Sequence, residues 1–234
     1  MKAFFTTIKA FFNSLTADAP VAQVPTSCGN INALLLHLCD FDYELHMWVL
    51  RWLAYPLRNP GAKLSTCILV NGGDRDGKSM FFADVMAELY GDTARQLRPA
   101  ALQPRALEWA KGAEFVVIDG RYSDASLGHL KHLVTDSALY AVAAHKRAAS
   151  LHPNRMNFVF LTGEIDFLPT DVANRRFVVI EAPPARQPKF YLAARFEIEN
   201  GGAEAFRDYL MRGIDMADFN ATTPPPVARM REVA

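Results

Sequence analysis

A chain of 234 residues with 50% hydrophobic and 21% charged residues has the makings of one compact core plus a small accessory piece. Its formal net charge of +0 excludes attraction to nucleic acid or anionic lipid through a global field and leaves any such binding to a local patch. Its three cysteines, Cys28, Cys39 and Cys67, have neither metal-site nor disulfide-framework spacing, and no run reaches the length of a membrane span. Reduced thiols, a cytoplasmic location and no stable membrane insertion are the expectations that follow.

The chain opens with Phe4, Phe5, Ile8, Phe11, Phe12 and Leu15 at helical spacing, with Lys2, Lys9 and Asn13 elsewhere. One apolar stripe of this kind suits a membrane surface or a partner helix. It also suits a cover for the chain's own core or for a neighbouring subunit, and the scarcity of flanking lysines favours that second reading. Residues 16–30 read as a linker, so residues 1–30 form an amphipathic helix and its connection. From Asn32 to Leu57 dense apolar residues predict one or two buried helices ending at Pro56. Together with the turn Arg58–Lys63 they make a helical lead-in over residues 31–63.

The core is expected over residues 64–217. The apolar run Thr66–Val70 predicts its first strand, and Met80–Met86 predicts a helix. Between them stands Gly72-Gly73-Asp74-Arg75-Asp76-Gly77-Lys78-Ser79. A strand, then G-x-x-x-x-G-K-S, then a helix is the pattern of a phosphate-binding loop, whose backbone N–H groups wrap a triphosphate at a helix N-terminus. Each residue type has its reason. Gly72 and Gly77 permit close approaches that a Cβ would block, Lys78 puts a point charge on the β and γ phosphates, and Ser79 offers a hydroxyl to Mg2+. The predicted cradle runs from Gly72 to Met80, with a nucleoside triphosphate as its ligand.

Beyond the loop helix, Gly91 reads as its C-terminal cap. Residues 92–112 hold a short extended piece and a helix around Ala106–Ala110. Glu114–Asp119 is a continuous apolar run ending in a carboxylate, which suits a central parallel strand. Asp119 is then either a second magnesium anchor or the cap of a turn. Leu127–Leu133 suggests a helix carrying Lys131. Ala138–Val142 and Ala149–Leu151 suggest a hairpin whose tip holds His145, Lys146 and Arg147, either a solvated turn or a phosphate-neutralising one. Asn157–Thr162 and Phe177–Ile180 are further buried strands, the latter preceded by Arg175 and Arg176. That arginine pair forms either a salt-bridged rim or a reach toward the γ-phosphate of a neighbouring subunit. Residues 189–199 and 202–212 are helical by pattern, and residues 218–234, with Pro224, Pro225 and Pro226, form a tail. Strands alternating with helices predict an α/β three-layer sandwich with a mainly parallel sheet, its ligand at the carboxyl ends of the strands.

This order of elements resembles the superfamily 3 helicases, and within them the ATPase domain of phage and plasmid primase-helicases. The likeness rests on the phosphate loop, Asp119, the basic hairpin, Phe160-Leu161-Thr162-Gly163-Glu164 and Asn174-Arg175-Arg176-Phe177. The segments Trp52–Lys63 and Asp218–Asn220 add to it, and it covers roughly residues 45–228. Neither the primase portion nor the winged-helix portion of longer relatives is expected in this chain. The resemblance implies an AAA+ type P-loop module forming a homo-oligomer, a hexameric ring, that acts on single-stranded DNA in the cytoplasm of a bacterial host. Lys78 and Ser79 match the family's loop, Asp119 its magnesium carboxylate, and Arg175 or Arg176 its finger in trans. Lys131 and the tip residues His145, Lys146 and Arg147 are the DNA-binding candidates.

Two positions depart from the family pattern. Gly120 follows Asp119 where relatives place a second acid that activates water, and Gly163 follows Thr162 where they place an asparagine that senses the γ-phosphate. Asp124 and Glu164 are the nearby carboxylates. Two functions therefore stand side by side: a DNA motor or loader, and a hydrolysis-deficient ATP-binding relative that assembles with or inhibits a replication helicase. A small-molecule kinase leaves Arg175 and Arg176 idle, and a GTPase lacks its guanine-selecting Asn-Lys-x-Asp.

Overall fold

The structure is a computed structural model that describes residues 27–102, 107–122, 133–142, 149–163 and 177–223. Its centre is a five-stranded sheet in the order β2-β3-β6-β1-β7, and every adjacent pair is parallel. The strands are β1 (Cys67–Asn71), β2 (Ala94–Leu97), β3 (Phe115–Asp119), β6 (Asn157–Thr162) and β7 (Phe177–Glu181). A separate antiparallel hairpin joins β4 (Ala138–Val142) to β5 (Ala149–Pro153), as the sequence predicts. The expected layered α/β fold with a preceding helical region is what forms.

The buried strands run apolar on both faces because both faces are covered. Ile68, Val70, Val117, Val159, Leu161, Val178 and Ile180 point into a large core shared with helices on one side. Those helices are α1 (Gly29–Leu38), α2 (Tyr43–Arg58), α4 (Pro188–Glu197) and α5 (Ala203–Asp208), joined by the helix after the phosphate loop. That last one, α3, begins with π turns (Met80–Val85) and ends as α-helix (Met86–Tyr90). The opposite face carries Leu69, Val116, Ile118, Phe158 and Phe160. It is covered more thinly among the described residues, by Leu102, Leu133, Val134, Leu139 and Met156.

Local chemistry sets the element ends. Asp42 caps α2, its Oδ1 accepting the Glu44 and Leu45 N–H groups at 3.0 Å. The buried Glu197 carboxylate sits over the start of α1 and accepts the Ile31 N–H at 2.7 Å, an anion at a helix N-terminus. Gly91 takes φ +50 at the end of α3, the predicted cap.

Three boundaries differ from the expectations. Helix α1 starts at Gly29, inside the predicted linker, because Ser27 Oγ accepts the Gly29 N–H at 3.2 Å and Glu197, from the far end of the chain, accepts the Ile31 N–H. Helix α2 runs past Pro56 to Arg58. Proline forfeits one hydrogen bond there, but the helix end is fastened from outside: Arg58 Nη2 donates to Leu210 O at 2.6 Å and to Ile214 O at 2.8 Å. The predicted helix around Ala106–Ala110 is only a 3-10 turn, Leu107–Ala110.

The expected N-terminal helix of Phe4–Leu15, the Lys131 helix, the hairpin tip His145–Arg147, Arg175 and Arg176, and the tail beyond residue 223 all lie outside the described residues. Among the described residues no helix is long and apolar enough to cross a membrane.

Candidate functional site

Parallel register brings the strand ends to one edge. Asn71 pairs with Thr162 on one side and Glu181 on the other, and Asp119 pairs with Leu161. The chain leaving β1 turns into the phosphate loop at this edge, held by Gly72 N–H donating to Thr162 O at 3.0 Å. The loop leaves the carboxyl edge between β6 and β7, one strand in from the β7 side of the sheet.

Two glycines are required by what surrounds them. A Cβ on Gly72 would collide with Asp76 Oδ2 and approach Ala182 Cβ at 2.8 Å. Gly77 has φ +95, and a Cβ there would meet Leu34 Cδ1 at 2.7 Å and Tyr191 Cε1 at 2.9 Å. The loop is therefore pressed between α1 and α4. Arg75 adopts φ +62, so successive loop residues alternate backbone handedness, the local geometry that turns N–H groups inward.

Lys78 folds back on its own loop. Its Nζ donates to Gly72 O at 2.9 Å, Gly73 O at 2.6 Å and Asp76 Oδ2 at 3.1 Å. Ser79 Oγ donates to Asp119 Oδ2 at 3.2 Å, which joins the start of the loop helix to the end of β3. The structure thus brings together Gly72 to Met80 and Asp119, all of which line one cleft of about 1160 Å³. The hydroxyl and carboxylate oxygens of Ser79 and Asp119 are hard donors of the kind Mg2+ takes, with phosphate oxygens and waters completing its shell. Among the described residues no three His, Cys, Asp or Glu side chains form a metal cage.

The cleft also holds residues that the sequence reading missed. Among the described residues Arg98, Arg121, Arg186 and Arg195 line it with Arg75 and Lys78, six cations against the three carboxylates Asp74, Asp76 and Asp119. That excess suits a polyanion. Arg98 follows β2 and donates through Nη1 to Asp119 O at 3.1 Å. Arg186 lies in the connection from β7 to α4 and stacks over Phe190, 4.9 Å from the ring centroid. The signal that would have found Arg98 and Arg186 is positional: both come just after the carboxyl end of a parallel strand.

Tyr191 and Leu192 on α4 complete one wall. The Tyr191 hydroxyl accepts the Arg186 N–H at 2.8 Å and lies 3.4 Å from His37 Nε2. Burial, with help from Arg186, holds the His37 imidazole below its ordinary pKa. Beyond the end of β3, Tyr122 packs on the core, its hydroxyl donating to Ile118 O at 2.7 Å, and burial together with the Asp119 charge raises its pKa.

The two departures from the family pattern have physical form. Gly120 has φ +145, and a Cβ there would sit 3.1 Å from Pro99 Cδ and 3.8 Å from Arg98 Nη1. Among the described residues a Cβ on Gly163 would meet only Gly72 O, at 3.5 Å.

A parallel α/β sandwich with this loop at the carboxyl edge of its sheet defines the class of the fold. The chain belongs to the virulence-associated protein E-like domain family, whose model matches residues 42–217. Its fold is shared with the apo structure of the NrS-1 C-terminal region (305–718), at TM-score 0.68 and 20% identity over 80% of this chain and 46% of that one. The A form apo structure of the same NrS-1 region matches at TM-score 0.67 and 21% identity, over 84% of this chain and 47% of that one. The chain therefore spans about half the length of these solved structures. No curated protein matches it. The family match and the shared fold agree with the layered α/β architecture that the sequence resemblance implies.

Proposed function

We propose that this chain binds ATP with Mg2+ in the cleft and acts on DNA as a superfamily 3 helicase-like module in the replication of a phage or mobile element. The observation that carries the reading is the placement of Ser79 Oγ 3.2 Å from Asp119 Oδ2, directly beside the loop that holds Lys78. In this reading Gly72 to Met80 wraps the phosphates, Lys78 exchanges its three loop acceptors for β and γ phosphate oxygens, and Ser79 and Asp119 hold the ion. Bound Mg2+ supplies charge neutralisation on the triphosphate. Arg175 and Arg176 reach the γ-phosphate of an adjoining copy in a ring, and His145, Lys146 and Arg147, with Lys131, neutralise DNA phosphates in its pore.

A second reading has a specific observation in its favour. The Gly120 backbone is turned into a conformation that L side chains rarely adopt, so the second acid is absent and its place is strained for any replacement. The chain is then an ATP-binding relative that assembles with, or inhibits, a replication protein without hydrolysis. ATP turnover with and without single-stranded DNA, alongside mass by light scattering with and without nucleotide, tests both. The first reading expects DNA-stimulated turnover by an oligomer, the second a nucleotide-dependent oligomer without turnover. No binding and no assembly contradicts both.

A further inference from the structure

Helix α4 shows two faces with different fates. Phe190, Tyr191, Ala194 and Ile198 pack inward, while Leu192 is 63% and Phe196 60% exposed, with exposed Ala193 between them. Leu192 and Phe196 are one helical turn apart, so they form a single apolar stripe on the outside of the domain. Among the described residues the other large exposed apolar side chains, Phe41, Tyr43 and Leu151, belong to other elements. A stripe of this kind offers an apolar contact to a neighbouring segment.

The chain itself supplies a candidate at the right place. Helix α1 runs antiparallel to α4: Asn30 Nδ2 and Ile31 N–H donate to Glu197 at one end, and His37 packs on Phe190 at 5.4 Å at the other. The described chain therefore begins, at Ser27, beside the carboxyl end of α4. What precedes it carries Phe4, Phe5, Ile8, Phe11, Phe12 and Leu15 on one helical face. As a helix this stretch is about 18 Å long, against about 15 Å for α4. Residues 16–26 span up to about 36 Å when extended, more than twice the length of α4, so the connection reaches every position along the stripe. Tethering gives the segment an effective concentration on the order of millimolar at this surface, well above that of any free competitor of similar affinity.

We propose that the segment Phe4–Leu15 docks as an amphipathic helix on the Leu192–Ala193–Phe196 stripe of its own chain. Leu192 also lines the phosphate-loop cleft, so the docked helix flanks the mouth of that cleft. The docking stands whether or not the cleft binds ATP.

The test uses the full chain with the photoreactive p-benzoylphenylalanine at position 196, an exposed site where a bulky aromatic is tolerated. Light- and heavy-isotope preparations are mixed before irradiation, and the conjugates are mapped by mass spectrometry. The proposal expects conjugation to residues 1–15 of the same isotope label. It also expects that conjugation to be lost when Phe5→Asp and Phe12→Asp are introduced together. Mixed-label conjugates overturn it in favour of a second copy as the occupant. Conjugation elsewhere, no conjugation, or conjugation that survives the double substitution overturns it outright.

Discussion

Asp76 holds Lys78 at both ends: its Oδ1 accepts the Lys78 backbone N–H at 3.0 Å, and its Oδ2 pairs with Nζ at 3.1 Å. The carboxylate is only 1% exposed, and the same two donors are the ones a triphosphate needs. Asp76 is therefore a built-in competitor. Asp76→Asn keeps an acceptor for the N–H and removes the ion pair. Its ATP affinity by calorimetry is expected to rise about fivefold, the worth of roughly 1 kcal/mol. A fall would make Asp76 a scaffold for the loop.

Asp119 touches Ser79 and not Lys78, so its contribution is expected to run through the metal. Asp119→Asn should weaken ATP binding about tenfold or more in the presence of Mg2+ and leave binding in EDTA unchanged. Equal loss in both conditions would assign Asp119 to loop stability.

Restoring the missing family side chains is expected to divide the two glycines. Gly120→Glu forces a side chain onto φ +145 beside Pro99, so it should destabilise the fold by about 1–3 kcal/mol in urea titrations without raising turnover. Among the described residues Gly163→Asn meets only an ordinary contact with Gly72 O, and it should fold like the parent. If the asparagine is what hydrolysis lacks, phosphate release from this variant rises above background. Equal destabilisation of both variants would reject the strain argument.

Lys63 is half-buried, with Nζ donating to Met156 O at 2.9 Å and Leu133 O at 3.2 Å, and desolvation lowers its pKa to about 8. Between that value and the ordinary lysine value the unfolded chain holds a proton that the folded chain has released. Stability from this group therefore rises with pH over that window. Relative to Lys63→Met, the parent should gain stability from pH 8 to pH 10 in denaturant titrations. A flat difference would mean that the two carbonyls keep the ammonium charged.

Much of this was legible along the chain because strong local signals carried it. The apolar runs at Ile68, Val117, Val159 and Val178 are strands buried on both faces, and the loop stands between strand and helix as its spacing requires. What escaped depended on contacts far apart in sequence. Glu197 caps α1 across 166 positions, and Arg58 fastens the end of α2 to Leu210 across 152. No local propensity encodes either. Arg98 and Arg186 were findable from their place after strand ends, but Arg195 enters the cleft only through the packing of α4, which a linear reading does not contain. Gly120 read as a glycine in place of an acid, and a linear reading could not foresee that its backbone takes φ +145, which is strained for any side chain.

The account depends on a triphosphate being gripped between Gly72 and Ser79, and calorimetric titration of ATP into the parent and Lys78→Ala proteins tests that most directly. The parent is expected to bind with Mg2+ in the micromolar range, and Lys78→Ala to lose about a hundredfold or more, as removal of a charge-assisted phosphate contact predicts. Equal affinities, or no heat of binding from a folded parent, would contradict it.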